Sequence, residues 1–418
     1  ILLYMVKTKR YRKTRNKRNT RNSRKKGGKV LDSGGYGCVF YPSLKCKSSS
    51  RSNKVVSKLM IKKYTILEYN KIRSIYKLLR KIKDYKKYFL IFDINTCQPD
   101  TLSRDDIHNF DDKCSALKKN NITQQNINQN LSQLMILNMP FGGIPVDDYI
   151  WNQESLANIF LLHSKLFQLL EHGIIPMNNL GIYHSDIKGT NVLMDKQENM
   201  RLIDWGLTVE YNEKTRIVPK YWQNRPFQFN VPFSIILFTD MFKKQYTEYL
   251  ANGSNSIQTF VQNYIKDWMK QRGQGHYKVI HEIMFKLFSN DDDIVNMDER
   301  EKSEYIQTNK TFPIIVNNIV QILTRHADEK DPELYDYLNK SFIKIIDIWG
   351  FISIYYSVLE MLFNNYSTLT ENQLNIFNTI KRLFLNYLYI PKNDPINMIE
   401  LKEDMNELGD LLKNESSV

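Results

Sequence analysis

Cysteine is scarce: Cys38, Cys46, Cys97 and Cys114 are the only four in 418 residues, and no two form a CxxC pair. That excludes a disulfide-stapled miniprotein and gives a zinc site little support, so a reduced intracellular protein is the expectation. Glycine (16) and proline (12) are too few for a collagen, and 42% hydrophobic residues exclude a wholly disordered chain. The chain also lacks an uncharged apolar run of membrane-spanning length. Its longest candidate, 345–363, carries Asp347 and Glu360. A charge at the membrane centre is costly, so a buried helix is expected there. The opening ILLYMV is too short for the apolar core of a signal peptide and precedes the charges instead of following them. A chain of this length buries enough surface to fold without staples, as two or three domains or one large bilobed unit.

Acidic residues are absent from 7–26, where twelve of the 59 lysines and arginines fall. Removing those twelve leaves 47 cations against 45 anions, so the net charge of +14 belongs to the tail. A run of like charges without apolar residues repels itself, and residues 1–28 are expected to be a disordered basic tail. Two readings stay open for it: an arm for nucleic acid or another polyanion, and a solvated or targeting tail without a specific partner.

After the tail, 30–63 reads as strands and turns, with Val55–Met60 as a clear strand. Residues 64–83 switch to helical period, and Glu68, Ile72, Ile75 and Leu79 share one face. Residues 88–94 and 134–137 read as strands, and the Asn- and Gln-rich stretch 95–130 between them as an irregular insertion. The second half is mainly helical. It opens on an apolar stripe from Leu156 to Leu170 that includes His163, read as a core histidine, and has short strands near 192–194 and 201–203. Strands first and helices later predict an α+β fold with two lobes.

Five short motifs follow one another in order. Asp32-Ser33-Gly34-Gly35-Tyr36-Gly37 is a glycine-rich turn, which lets backbone N–H groups approach phosphates. Alone it is a weak signal, since such turns are more often plain hairpins. Lys58 lies inside an apolar strand and needs a partner. Glu68, on the inward helix face, supplies one, and a buried pair of this kind is rarely kept for stability alone. Tyr183-His184-Ser185-Asp186-Ile187-Lys188-Gly189-Thr190-Asn191 offers a carboxylate, an ammonium and an amide within six residues. Leu202-Ile203-Asp204-Trp205-Gly206 adds an acid thirteen residues after Asn191. That spacing suits a hairpin bringing two hard oxygen ligands to one Mg²⁺. Finally, Asp347 opens the apolar helix and must be satisfied by backbone N–H groups of another loop.

The set resembles the eukaryotic-type protein kinases, whose signatures are a Gly-rich loop, a strand lysine, a helix glutamate, H-R-D-x-x-x-x-N and D-F-G. The wording GGYGCVFYPSLKC, LNMPFGG and NRPFQFNVPF is further similar to kinase-like proteins of giant DNA viruses. The resemblance covers 30–235 and 343–363. It implies a small β-rich N-lobe with one main helix at 29–138, insertion about 95–130. It also implies a larger helical C-lobe at 139–418, insertion about 235–340. ATP and Mg²⁺ are the implied cofactors, with Mn²⁺ as the alternative ion. The implied reaction is transfer to Ser or Thr of a protein substrate, in an infected host cell or its virions.

Carried over by position, Asp186 would be the base and Lys188 would neutralise the γ-phosphate. Lys58, fixed by Glu68, would hold the other phosphates. Asn191 and Asp204 would hold the metal. Ser33, Gly34, Gly35 and Gly37 would cover the phosphates. Val39, Val56, Leu193 and Ile203 would enclose the adenine, with Met139 and Phe141 at the hinge, and Ile72, His184 and Trp205 would stack as a core spine.

Departures are also visible. Asp32 replaces the loop's first glycine and Ser185 replaces the arginine of H-R-D. A-P-E is missing, with Arg225-Pro226-Phe227 nearest by spacing. They keep two alternatives in play: a nucleotide-binding pseudokinase or scaffold, and a kinase of a non-protein hydroxyl.

Overall fold

The computed structural model describes residues 28–153, 156–215, 217–252, 256–326, 333–391 and 394–416. Most of the basic tail, 1–27, lies outside them. The described chain is α+β: a small antiparallel sheet in the N-terminal part, then a larger helical part. It divides into two compact units, one holding 28–81 and 89–143, the other 82–88 and 144–416.

The N-terminal unit is built on a five-stranded sheet. Its strands are β1 (Lys29–Ser33), β2 (Gly37–Tyr41), β3 (Val55–Ile61), β4 (Asn95–Cys97) and β5 (Leu134–Pro140), in the order β1-β2-β3-β5-β4. Period-two alternation splits its side chains between two faces. Register aligns Cys38 with Leu59, Ile136 and Cys97 on one face, and Val39 with Lys58 and Leu137 on the other. The helix Lys62–Leu79 buries Ile72, Ile75 and Leu79, as its spacing required. Its Thr65 hydroxyl donates to Met135 O (3.2 Å).

One expectation needs correction here. The strand expected at 88–94 forms at 95–97 instead; left-handed Asp93 (φ 53°) turns the chain just before it. The stretch 95–130 is irregular in form, in turns and helical pieces of three or four residues such as Phe110–Lys113 and Ser115–Lys118, but it is packed. It places Leu102, Phe110, Cys114, Ala116, Leu117, Ile122 and Ile127 in one core with Cys38, Phe40, Leu59 and Ile136. Scattered apolar residues among asparagines hid this, because no regular period exposes them. Asp106 fastens the segment: it is fully buried, pairs with Arg51 and accepts from Ser103 N (2.8 Å).

The cysteines are a second correction. All four are paired, Cys38 with Cys114 and Cys46 with Cys97, which stands against the reduced state expected from their number. Each bond ties the region of β1–β3 to the inserted segment.

The C-terminal unit carries two small sheets, numbered on in chain order: β6 (Ile144–Pro145), β7 (Ile182–Tyr183), β8 (Val192–Met194), β9 (Met200–Leu202) and β10 (Val209–Glu210). β6 pairs with β8, β8 with β9, and β7 with β10. Between β8 and β9, Asp195 accepts from Gln197 N (2.8 Å) and Asn199 N (2.9 Å), a side-chain-closed turn that makes the hairpin tight. The region 235–340 forms helices, among them Asp240–Asn252, Ile257–Arg272, Tyr277–Phe288 and Phe312–His326. The helix Glu299–Ile306 starts at a capping box from Asp298 and Glu301, which accounts for part of the acidic run. Among the described residues one helical stretch, Tyr335–Phe363, is long and apolar enough to cross a membrane, but 83% of its most apolar window is buried in the fold.

His163 is a core residue, as expected. Its Nδ1 lies 2.9 Å from Tyr355 Oη, and its ring meets Gly409 of the helix Met398–Ser416, where an added Cβ would sit 3.1 Å from Nε2. Burial pushes the imidazole down to about 4. The unfolded chain therefore protonates first as pH falls below 6.5, and the folded state loses stability until about pH 4. This single group should remove about 2 kcal/mol between pH 7.5 and 5. Thermal unfolding of wild type and His163→Gln at both pH values checks it. The variant should lose correspondingly less on acidification, and parallel losses would refute the assignment.

Candidate active site

In the N-terminal unit, the Lys58 ammonium donates to both carboxylate oxygens of Glu68, at 2.7 and 3.0 Å. Both side chains are about nine-tenths buried. Lys58 projects from the sheet face that also carries Val39, Val56 and Met139, since registered or alternate positions share a face. The opposite face is filled by the insertion, so the two sides of one sheet have separate tasks.

The glycine turn joins β1 to β2 with Gly34 N donating to Gly37 O (2.9 Å). Gly37 has no room for a side chain: a Cβ would lie 2.6 Å from Leu59 O. Gly35 faces open space, and a Cβ at Gly34 would make only an ordinary contact with Gly37 O (3.8 Å). Ser33, expected over phosphates, uses its side chain elsewhere. Its hydroxyl turns to the insertion, 3.2 Å from Ser115 Oγ, and accepts from Ala116 N. Asp32 accepts from Ser33 N (2.7 Å) and lies exposed. The Phe141 ring packs on Tyr41 (4.5 Å) and its N–H is taken by Lys54 O (2.8 Å).

In the C-terminal unit the central group is Asp186, 7% exposed. Lys188 Nζ donates to it at 3.1 Å and Asn191 Nδ2 at 3.0 Å. Asn230 Nδ2 donates to its other oxygen at 2.8 Å and to Ile187 O at 3.2 Å. Asn230 was not among the expected site residues. It lies 44 positions further along, fully buried, within the NRPFQFNVPF stretch, whose wording assigned it no role. Only the buried environment around its amide identifies it.

The backbone of this loop is held from below. Asp347 is fully buried and accepts from His184 N (2.8 Å) and Ser185 N (2.8 Å). The amide nitrogen of Asn178, in the orientation its neighbours require, adds a third donor at 2.9 Å. Asp347 thus meets the backbone partners expected of it, although it sits within the helix Ile343–Ser353 and not at its start. Burial pushes its carboxyl up to about 7, against the pull of these N–H donors and of Arg225. Asp347→Asn would set an amide N–H against one of the backbone N–H groups. A loss of about 3 kcal/mol is expected, read as a shifted denaturant midpoint at unchanged slope; an unshifted midpoint would refute it.

Ser185, in the place of the H-R-D arginine, is left-handed (φ 62°) and accepts from Trp222 Nε1 (2.8 Å). The nearby cation is Arg225, whose Nη1 donates to Ser185 O (2.9 Å). His184 is fully buried, with Nε2 2.9 Å from Ile203 O and its ring 5.1 Å from Trp205. Burial lowers its pKa, so it is a neutral structural group.

The β8–β9 hairpin runs the backbone at Asn191 alongside that leading to Asp204, the two residues expected to hold a metal. Ile203 N donates to Asn191 O (3.0 Å), which sets Asp204 beside Asn191. Asn191 spends its amide N–H groups on Asp186, leaving Oδ1 as its side-chain acceptor, and Asp204 is left-handed (φ 62°). An amide oxygen and a carboxylate are hard donors that fit Mg²⁺ in company with phosphate and water. Among the described residues no cluster of three His, Cys, Asp or Glu forms a self-sufficient metal site. Leu193 and Ile203 are half-buried around this hairpin.

The C-terminal unit thus holds a buried carboxylate with three side-chain donors, one of them an ammonium, and the N-terminal unit separately holds a buried ammonium–carboxylate pair. No protein-family model matches the chain.

Proposed function

We propose that the chain is an ATP- and Mg²⁺-dependent protein kinase acting on Ser or Thr hydroxyls. The observation that carries this reading is the set of three side-chain donors converging on Asp186 while Asp347 fixes the backbone beside it. A carboxylate restrained in this way is suited to orienting a hydroxyl. Phosphoryl transfer asks mostly for positioning and charge neutralisation.

In this reading the substrate hydroxyl oxygen bonds to the γ-phosphorus as the bond to the β,γ-bridging oxygen breaks. ADP leaves and the hydroxyl proton passes to Asp186. Lys188 balances charge on the transferred group. Lys58, held by Glu68, binds the α- and β-phosphates, and the backbone of the glycine turn at Gly34 and Gly35 caps them. Asn191 and Asp204 hold Mg²⁺, which neutralises phosphate charge when bound. Val39, Val56, Leu193 and Ile203 supply apolar contact for the base, with backbone groups near Met139 reading its edge.

The test is transfer of ³²P from [γ-³²P]ATP by the purified chain to mixed basic and acidic proteins and, separately, to small hydroxyl compounds. Label on protein serine or threonine is expected. Label confined to small molecules would replace protein by another acceptor. Nucleotide binding without any transfer would make the chain a pseudokinase.

A further inference from the structure

The region 235–340 has no counterpart among the five motifs, yet one turn of it reaches the segment that carries Asn230. Residues 224–230 run as a strap. On one side Arg225 donates to Ser185 O (2.9 Å) and Asn230 to Asp186 (2.8 Å). On the other side lies the turn 272–276, between the helices Ile257–Arg272 and Tyr277–Phe288. Arg272 Nη2 donates to Asn224 O (2.8 Å) and His276 N donates to Phe227 O (2.8 Å). The His276 ring packs 5.6 Å from that of Phe229. Gly275 is left-handed (φ 55°), and a Cβ there would fall 2.3 Å from Phe227 O and 2.9 Å from Pro226 Cβ. Backbone and backbone meet at a distance only glycine permits.

We propose that the 272–276 turn is a positioning element for the proposed reaction: it clamps the 224–230 strap, and the strap's Asn230 sets the orientation of Asp186. Three features make the strap a transmitter instead of a loose cover. It is fully buried at Phe227 and Asn230. It is pinned from a third direction by Trp349 Nε1 donating to Phe229 O (3.0 Å). It has no slack at Gly350, where a Cβ would press on Ile187 O (2.7 Å) and Asn230 O (3.2 Å). The charges agree with this closeness. Burial, with Lys188 and Arg225 nearby, pushes His276 down to about 4, which keeps its ring neutral at the edge of a site already holding two cations. The inserted region thereby takes over a task on the acceptor side, where the A-P-E motif is missing. Neither Arg272 nor Gly275 is placed at the reacting atoms, so their effect passes through the strap.

This inference rests on the kinase reading, and its test separates the two. Gly275→Ala and Arg272→Ala are made in the full chain; Arg272 is exposed, so its loss leaves the fold intact even where Gly275→Ala unfolds. Amide hydrogen exchange over 224–230 is followed by mass spectrometry, alongside kcat and the KM for ATP. Faster exchange in the strap is expected in both variants. For Gly275→Ala, kcat should fall by up to about 100-fold, the scale of a misplaced reacting group, with KM for ATP within about twofold. Unchanged exchange at 224–230, or faster exchange with unchanged kcat, overturns the clamp. A wild-type chain that transfers no phosphate overturns the kinase reading instead, and the exchange result still decides whether the turn holds the strap.

Discussion

Asp186→Asn should keep Mg-ATP binding and lose phosphoryl transfer by about 10³-fold, within the range that a positioned general base contributes. Two causes act together. The amide cannot take the hydroxyl proton, and its NH₂ would face donors already aimed at the carboxylate from Lys188, Asn191 and Asn230. One of those donors must turn away, so the loop loses orientation as well as its base. Binding should survive, because the residues proposed to hold phosphates and metal, Lys58, Asn191 and Asp204, remain. Single-turnover transfer and nucleotide titration on the same sample separate the two effects. A variant with wild-type kcat would remove Asp186 from the chemistry and with it the proposed function. The matching change Asn230→Ala leaves the carboxylate in place, so its loss should be smaller and confined to kcat.

The second large effect concerns the two disulfides. Cys46–Cys97 closes 51 residues and lies nested within Cys38–Cys114, which spans 76. In the chain-entropy model the inner bond is worth about 4 kcal/mol. The outer one then closes a shorter effective loop, and the pair is worth about 8 kcal/mol in all. Reduction should therefore destabilise the N-terminal unit far more than any single side-chain change there, and melting with and without a phosphine reductant should show it. Thiol titration in denaturant without reductant should find no free thiols. Four thiols per chain would mean that the bonds are absent in the isolated protein. Cys38 and Cys114 are fully buried, so reduction should be slow until the unit opens.

Much of the site was legible because its chemistry is local in the chain. Lys58 and Glu68 stand ten residues apart on a strand and the helix that follows it, and an inward acid beside an inward amine leaves little choice of partner. The thirteen-residue gap from Asn191 to Asp204 is a hairpin's length, and a hairpin is what forms. The buried acid at Asp347 demanded N–H partners; those of His184 and Ser185 supply them from 163 and 162 residues away.

What stayed hidden depends on tertiary contact without local pattern. Asn230 reads as any asparagine until Asp186 lies beside it. Cysteine pairing cannot be deduced from spacing, and a count of four argued for thiols. The insertion's core was masked by its asparagines, and nothing local in the chain marks Ser115 and Ala116 as the partners of the Ser33 hydroxyl.

The alternation along β2 carries a practical corollary. Cys38 and Val39 are neighbours in the chain but emerge on opposite sides of the sheet, Cys38 toward Cys114 and Val39 in register with Lys58. A thiol-directed drug or label attached at Cys38 after opening the bond would arrive behind the surface that carries Lys58. It could not compete sterically with anything seated there, and any effect on the Lys58 face would have to pass through the sheet itself, by way of β2 and of Leu59 on β3.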